Sequence, residues 1–277
     1  MTAQLAPTQS GDLVQICNVW KEFGKDAGGP VLSDVSLSVA TGELVAVIGP
    51  SGCGKSTLLN ILARLTTPTR GTVTLANPKA CVAYVFQGPR LLPWRTVLRN
   101  VEFGLEQLGL SRQETRRRAL QTLRLVHLDD HVAKYPHQLS GGMQQRVALA
   151  RGLALEPELL LMDEPFGALD ALTRGYLQEE LLSLVRRTDS TTILVTHDID
   201  EALLLADRIV VMSNRPARIK QIVDVPFGAE RTLDALISDP RYPGLRSRLR
   251  ELLRPEMGEA TVSSVAREPA HRVQRAT

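Results

Sequence analysis

Two clusters of residues in this chain have the types and spacing needed to handle a phosphorylated ligand. Gly49-Pro50-Ser51-Gly52-Cys53-Gly54-Lys55-Ser56 fits the spacing G-x-x-x-x-G-K-[ST] in full, and Thr57 follows it. Glycines at such positions let the backbone curl so that successive N–H groups point at phosphate oxygens. Lys55 adds a mobile point charge for the terminal phosphates, and the Ser56 hydroxyl is placed to ligate Mg²⁺. The second cluster is Leu159-Leu160-Leu161-Met162-Asp163-Glu164. Asp163 reads as a carboxylate that holds Mg²⁺ through water. Glu164 is the candidate general base for a water attacking the terminal phosphate. The competing reading of this acidic pair is a helix N-cap just after a strand, which Pro165 would also fit.

These residues need a frame. Leu44 to Ile48 is a short continuous apolar run, the mark of a strand buried on both faces. It runs straight into the glycine-rich loop. A helix is expected from about Lys55, carrying Leu58, Leu59, Ile61, Leu62 and Leu65, with the positive end of its dipole toward the loop. Leu159 to Met162 and Thr192 to Val195 read as further buried strands, whose C-terminal ends open on a ligand crevice in sheets of this kind. Ser33 to Val39 alternates, with Val35, Leu37 and Val39 on one face and Asp34, Ser36 and Ser38 on the other. Strands are also expected over Leu13 to Val19, Arg208 to Met212 and Gln221 to Val225. Helices are expected near 171–187 and 199–206. Residues 88 to 152 read as mostly helical, with a capping box at Ser111-Arg112-Gln113-Glu114. Strands alternating with helices predict an α/β fold with a mostly parallel sheet and a helical insertion.

Bulk properties narrow the partners. The chain has 277 residues, enough for one large domain or two small ones, and 43% hydrophobic residues. A net charge of +3 does not supply the concentrated basic face that nucleic acid requires. Cys17, Cys53 and Cys81 are odd in number and lack metal-ligand spacing, which fits a reducing compartment. The start, Met1 to Pro7, has no basic, apolar secretory pattern. No apolar run approaches the roughly 20 residues that cross a bilayer. If a solute crosses a membrane here, another chain must supply the path. Composition predicts loose structure over residues 1–12 and disorder after about Gly258.

Between the two phosphate-handling clusters stands Leu139-Ser140-Gly141-Gly142-Met143-Gln144-Gln145-Arg146. This octapeptide resembles the signature motif of ATP-binding cassette (ABC) ATPases, with Met143 where Gln is commoner. The resemblance covers residues 13 to 225, with the motifs in the family's order. Gln87 in Val85-Phe86-Gln87 is similar to the Q-loop glutamine, which implies contact with Mg²⁺ and the attacking water. Gly167-Ala168-Leu169-Asp170 resembles the D-loop and puts Asp170 at the nucleotide. His197, after Thr196, resembles the switch histidine that contacts the γ-phosphate. Phe23 sits where the family stacks an aromatic on adenine, with Trp20 as the alternative ring.

The resemblance implies a P-loop NTPase core with an N-terminal antiparallel β subdomain and an inserted helical subdomain. It sets an ATPase domain over 13–230, with the helical subdomain at about 88–152 and a helical C-terminal extension over 231–257. It implies ATP and Mg²⁺ as cofactors. A second ATPase copy is implied too, because Ser140, Gly141 and Gly142 would form a helix N-terminus facing a γ-phosphate held by the partner. Transmembrane permease subunits and, indirectly, a solute-binding protein follow, with location at the cytoplasmic membrane face.

The run Leu91-Leu92-Pro93-Trp94-Arg95-Thr96-Val97, then Asn100-Val101, is similar to the nitrate, sulfonate and taurine importer branch. So is Asp239-Pro240-Arg241-Tyr242 with Leu245-Arg246. Trp94 would meet the membrane subunit; packing inside the helical subdomain is the other reading. Importers of pyrimidine precursors, non-transport ABC ATPases and P-loop kinases stand as alternatives. Arg116 to Arg118 read as a solvated face, and His127, His131 and His137 as structural. Cys53, near a helix N-terminus, is expected to react with thiol reagents unless ATP protects it.

Overall fold

A computed structural model describes residues 11–24, 29–228 and 231–265, with side chains to Arg254. The elements run β1 (Asp12–Lys21), β2 (Leu32–Ala40), β3 (Leu44–Ile48), α1 (Lys55–Leu62), β4 (Arg70–Leu75) and β5 (Val82–Val85). Then come α2 (Val97–Leu105), α3 (Arg112–Leu125), α4 (Gly141–Leu153), β6 (Leu159–Asp163), α5 (Ala171–Thr188), β7 (Thr191–Val195) and α6 (Ile199–Leu205). The chain closes with β8 (Arg208–Met212), β9 (Ile219–Asp224), α7 (Leu233–Ser238) and α8 (Tyr242–Val265).

Two sheets form. One is antiparallel, in the order β2-β1-β4. The other has the order β5-β6-β7-β3-β8-β9 and is parallel except for the β8–β9 pair. The five residues of β3 are all buried, and alternate ones enter different cores. Leu44, Ala46 and Ile48 pack with the helical side of the molecule. Val45 and Val47 pack with α1 and the antiparallel sheet. β6 divides the same way, with Leu160 and Met162 against Leu159 and Leu161. A strand buried on both sides disfavours charged side chains along its length, so the carboxylate chemistry of β6 comes at its C-terminal end.

The expected strands and helices are present within one or two residues, with informative differences. β4 and β5 carry no clear sequence pattern, because β4 is exposed at all but Val73 and Leu75 and β5 is four residues long. α1 stops at Leu62 rather than reaching Leu65, which is exposed; Arg64 has a left-handed φ of 58° there. Ser111 caps α3 by accepting from Glu114 N–H at 3.2 Å. The return half of that box is replaced by Glu114 pairing with Arg117 and Arg118. α8 is helical to Val265, so the segment after Gly258 is not wholly without structure. Residues 1–10 and 266–277, parts of the expected loose ends, lie outside the described residues. No helix among the described residues is long and apolar enough to cross a membrane.

α2, α3 and α4 pack together, and the loop before α2 is pinned by one side chain. Asn100 is fully buried. Its Oδ1 accepts from Leu92 N–H at 2.8 Å, and its Nδ2 donates to the carbonyls of Leu92, Arg95 and Thr96 at 3.0 to 3.2 Å. That loop displays Trp94, which is 71% exposed, so the ring does not pack inside the helices. At the other end of the chain, Arg231 donates to the carbonyls of Leu203 and Ala206 at the C-terminus of α6. Tyr242 and Arg246 hold Asp200 in the first turn of α6, at 2.8 Å and 2.6 Å.

Asn100→Ala removes all four side-chain hydrogen bonds from Asn100 to the Trp94 loop and its flank, and leaves Leu92 N–H without that partner. It is expected to cost about 2–3 kcal/mol of stability, read by calorimetry, with ATP binding unaffected.

Candidate active site

Four neighbouring strands deliver the predicted residues to one edge. β3 ends in the glycine-rich loop, β6 in Asp163-Glu164, β7 in Thr196-His197, and β5 in Phe86-Gln87. Because β6 lies between β5 and β7, Glu164 emerges between Gln87 and His197. Its Oε2 accepts from Gln87 Nε2 at 3.0 Å, and its Oε1 lies 3.4 Å from His197 Nδ1. Glu164 has a left-handed φ of 48°, uncommon for a residue with a side chain. Its N–H donates to Val195 carbonyl at 2.9 Å, and its own carbonyl accepts from Gly167 N–H at 3.3 Å. The strand end thus imposes a backbone shape costing about 1–3 kcal/mol and aims the carboxylate out of the sheet.

The glycine-rich loop closes over α1. Gly54 is the N-cap of α1 with φ 125°, and a Cβ there would lie 2.9 Å from both Val31 Cγ1 and Leu32 Cδ2. Only glycine fits. The buried Lys55 ammonium donates to the carbonyls of Gly49 and Pro50 at 2.8 and 2.9 Å, so it stays inside the curl of the loop. Ser51, Gly52 and Ser56 are exposed and Thr57 is half-buried. Cys53 is 2% exposed and belongs to the core under the loop. The expectation of a reagent-accessible thiol is therefore corrected; this position contributes backbone to the loop and volume to the core.

Asp163 is buried, and burial pushes its carboxyl above the ordinary range. A hydrogen bond from Ser56 opposes that shift, Glu164 adds to it and Lys55 counters it. A buried carboxylate beside a hydroxyl, with the Gln87 amide across the crevice, is a set of hard oxygen donors. Such a set suits Mg²⁺, which takes few protein ligands and completes its shell with phosphate and water. Among the described residues no group of three or more His, Cys, Asp and Glu side chains could hold a metal ion unaided.

Ser140 caps α4 by accepting from Met143 N–H at 3.3 Å, and is exposed. A Cβ on Gly142 would touch Ala168 carbonyl at 3.2 Å, so this glycine packs on the loop before α5. A Cβ on Gly141 would meet nothing within 4 Å. The helix start therefore presents free N–H groups to open space, a ready anion site. Asp170 uses its carboxylate to cap α5, accepting from Thr173 N–H at 3.0 Å. Phe23 is 47% exposed with Lys21 Nζ 4.8 Å over its ring, whereas Trp20 is half-buried. Phe23 is thus the freer platform of the two.

Several contributors escaped sequence reasoning. Gln145 is buried and donates to Phe86 carbonyl at 3.2 Å, tying the signature helix to the residue before Gln87. Arg151 donates to the carbonyls of Pro89 and Arg90 just beyond it. Arg174 spans from Leu169 carbonyl to Asp198. A glutamine or arginine on a helix gives no local pattern that points to a distant loop.

The family description "ABC transporter" matches residues 32–167. The nitrate import ATP-binding protein NrtC of Synechococcus elongatus is 46% identical over 249 residues, covering 86% of this chain and 38% of that protein. The chain therefore spans well under half the length of that relative. The taurine import ATP-binding protein TauB of Yersinia pestis is 45% identical over 239 residues, covering 83% of this chain and 92% of that protein. Among solved structures, a dimeric ATP-binding cassette in a post-hydrolysis state with ADP and Pi superposes with a TM-score of 0.71. It is 34% identical and covers 78% of this chain and 100% of that one. The chain belongs to the ABC transporter family, as one of its ATP-hydrolysing subunits.

Gly54→Ala forces a Cβ into Val31 and Leu32 and a side chain onto a glycine-only backbone. ATP binding, followed by titration with a fluorescent nucleotide, is expected to weaken about tenfold or more.

Proposed function

We propose that this chain is the ATPase of an importer for a small oxyanion such as nitrate, taurine or another aliphatic sulfonate. The observation that carries the catalytic part is the Glu164 carboxylate shared between Gln87 and His197. In this reading the backbone from Gly49 to Thr57 cradles the phosphates of ATP, with Lys55 at the β- and γ-phosphates. Phe23 stacks on adenine. Ser56, Asp163 and Gln87 hold Mg²⁺, which neutralises charge on the phosphate oxygens when bound. Glu164 takes the proton of the attacking water, and His197 holds the γ-phosphate in line.

Ser140, Gly141, Gly142 and Asp170 serve the nucleotide of a second, identical subunit. The open space before Gly141 and the dimeric state of the related cassette support that assembly. Trp94, held out from the helical subdomain, faces the permease at the cytoplasmic side of the membrane, with a solute-binding protein beyond it. Likeness to nitrate and taurine import proteins supports the oxyanion class. ATP-driven uptake by the purified complex, tested with nitrate, taurine, an alkanesulfonate and a pyrimidine precursor, decides the solute. Uptake of the pyrimidine precursor alone would replace the oxyanion reading.

Glu164→Gln is expected to bind ATP, form a stable dimer on size exclusion and lose about a hundredfold or more in turnover. Normal turnover would remove Glu164 as the base. Gly141→Asp is expected to keep its fold and nucleotide binding, yet fail to dimerise with ATP, because a carboxylate then occupies the partner's phosphate position.

A further inference from the structure

Beside the His197 loop lies a cavity of about 40 Å³ lined by the polar side chains of Glu164, Arg174, Thr196, His197, Asp198 and Glu201, with Phe166 and Gly167 completing the wall. Glu201, in the first turn of α6, is 6% exposed. Its Oε2 accepts from Thr196 Oγ1 at 3.0 Å, and that hydroxyl accepts from Asp198 N–H at 3.0 Å. The two bonds straddle His197 and fix the loop that carries it. Thr196 N–H donates in turn to Val47 carbonyl on β3. Oε1 of Glu201 and Nε of Arg174, both buried, have no hydrogen-bond partner in the protein. Buried polar atoms require partners. A polar cavity of this size has room for the ordered water that would supply them.

We propose that Glu201 is a positioning residue for His197, acting as an uncharged carboxylic acid whose hydroxyl meets ordered water shared with Arg174. This rests on the roles given above to Glu164 and His197. Burial holds the Glu201 carboxyl far above the ordinary range, at about 8. Asp198 and Glu164 push it the same way, whereas the Thr196 bond and Arg174 oppose. His197 also lines the cavity from the β7 loop. On the far side, Tyr242 and Arg246 of α8 are engaged by Asp200. At neutral pH the uncharged acid leaves Arg174 free to bridge Leu169 and Asp198. Ionisation above pH 8 would set an anion beside Asp198 and Glu164, draw Arg174 toward it and loosen the loop.

The test is the pH profile of ATP turnover for the full-length protein, comparing wild type with Glu201→Gln, Glu201→Ala and His197→Ala. Glutamine keeps an acceptor for Thr196 and a donor for the cavity. Glu201→Gln is expected to stay within about twofold of wild type at pH 7 and to lack the fall in kcat through pH 8. Glu201→Ala is expected to lose about tenfold in kcat with little change in KM for ATP. A Glu201→Gln variant as impaired as Glu201→Ala at pH 7, or one that keeps the alkaline fall, overturns the proposal. Normal turnover in His197→Ala would instead overturn the reading beneath it.

Discussion

The two oxygens of Glu164 reach loops on either side of their own strand, one to Gln87 and one to His197. That pairing follows from strand order. With β6 between β5 and β7, any residue just past its end has the ends of those two strands as neighbours. β3 stands next in line and brings the phosphate loop to the same edge. The central strands β3, β6 and β7 are buried on both faces, so charged groups are disfavoured along them and gather where the strands stop. A left-handed backbone at Glu164 turns the chain there, and the Val195 carbonyl receives its N–H. The site depends on this one turn more than on any loop around it.

The octapeptide from Leu139 to Arg146 ties that edge to the helical subdomain. Ser140 caps α4, and Gln144 donates back to the carbonyls of Pro136 and Leu139. Arg146 holds Val126 carbonyl, and Gln145 holds Phe86. Ser140 and Gln144 thus brace the motif and the turn before it, while Gln145 and Arg146 reach distant segments. α4 therefore holds the chain on both sides of Gln87, through Gln145 at Phe86 and Arg151 at Pro89 and Arg90.

How far the sequence spoke depended on how local each signal was. The β3 and β6 runs were legible because burial on two faces leaves a continuous apolar string. The phosphate loop was legible because Gly54 and Lys55 are required within a few residues of each other. β2 was legible from its alternation, and the structure buries Val35, Leu37 and Val39 as expected. β4 and β5 were silent because one is mostly exposed and the other very short. Cys53 misled, since its position at a helix start said nothing of the core above and below it. Asp170 was read through a motif, while its carboxylate has a plain capping task. Gln145, Arg174 and Glu201 act across the fold, and no spacing along the chain encodes such contacts.

The C-terminal segment takes its place from the same logic of distance. α6 has only seven residues and follows directly on the His197 loop. A helix so short gains little from its own hydrogen bonds, so its orientation must be set by what grips it. Arg231 binds carbonyls at its C-terminal end, and Tyr242 with Arg246 binds Asp200 at its N-terminal end. Asp198 caps it from the loop side by accepting from the N–H groups of Asp200 and Glu201. The cap residue and the gripped residue flank the same first turn. α8 is thus joined to Asp198 through one helical turn, and Asp198 neighbours His197 in the chain. The residues that looked like a branch marker, Tyr242 and Arg246, are in physical terms the outer anchor of the histidine loop.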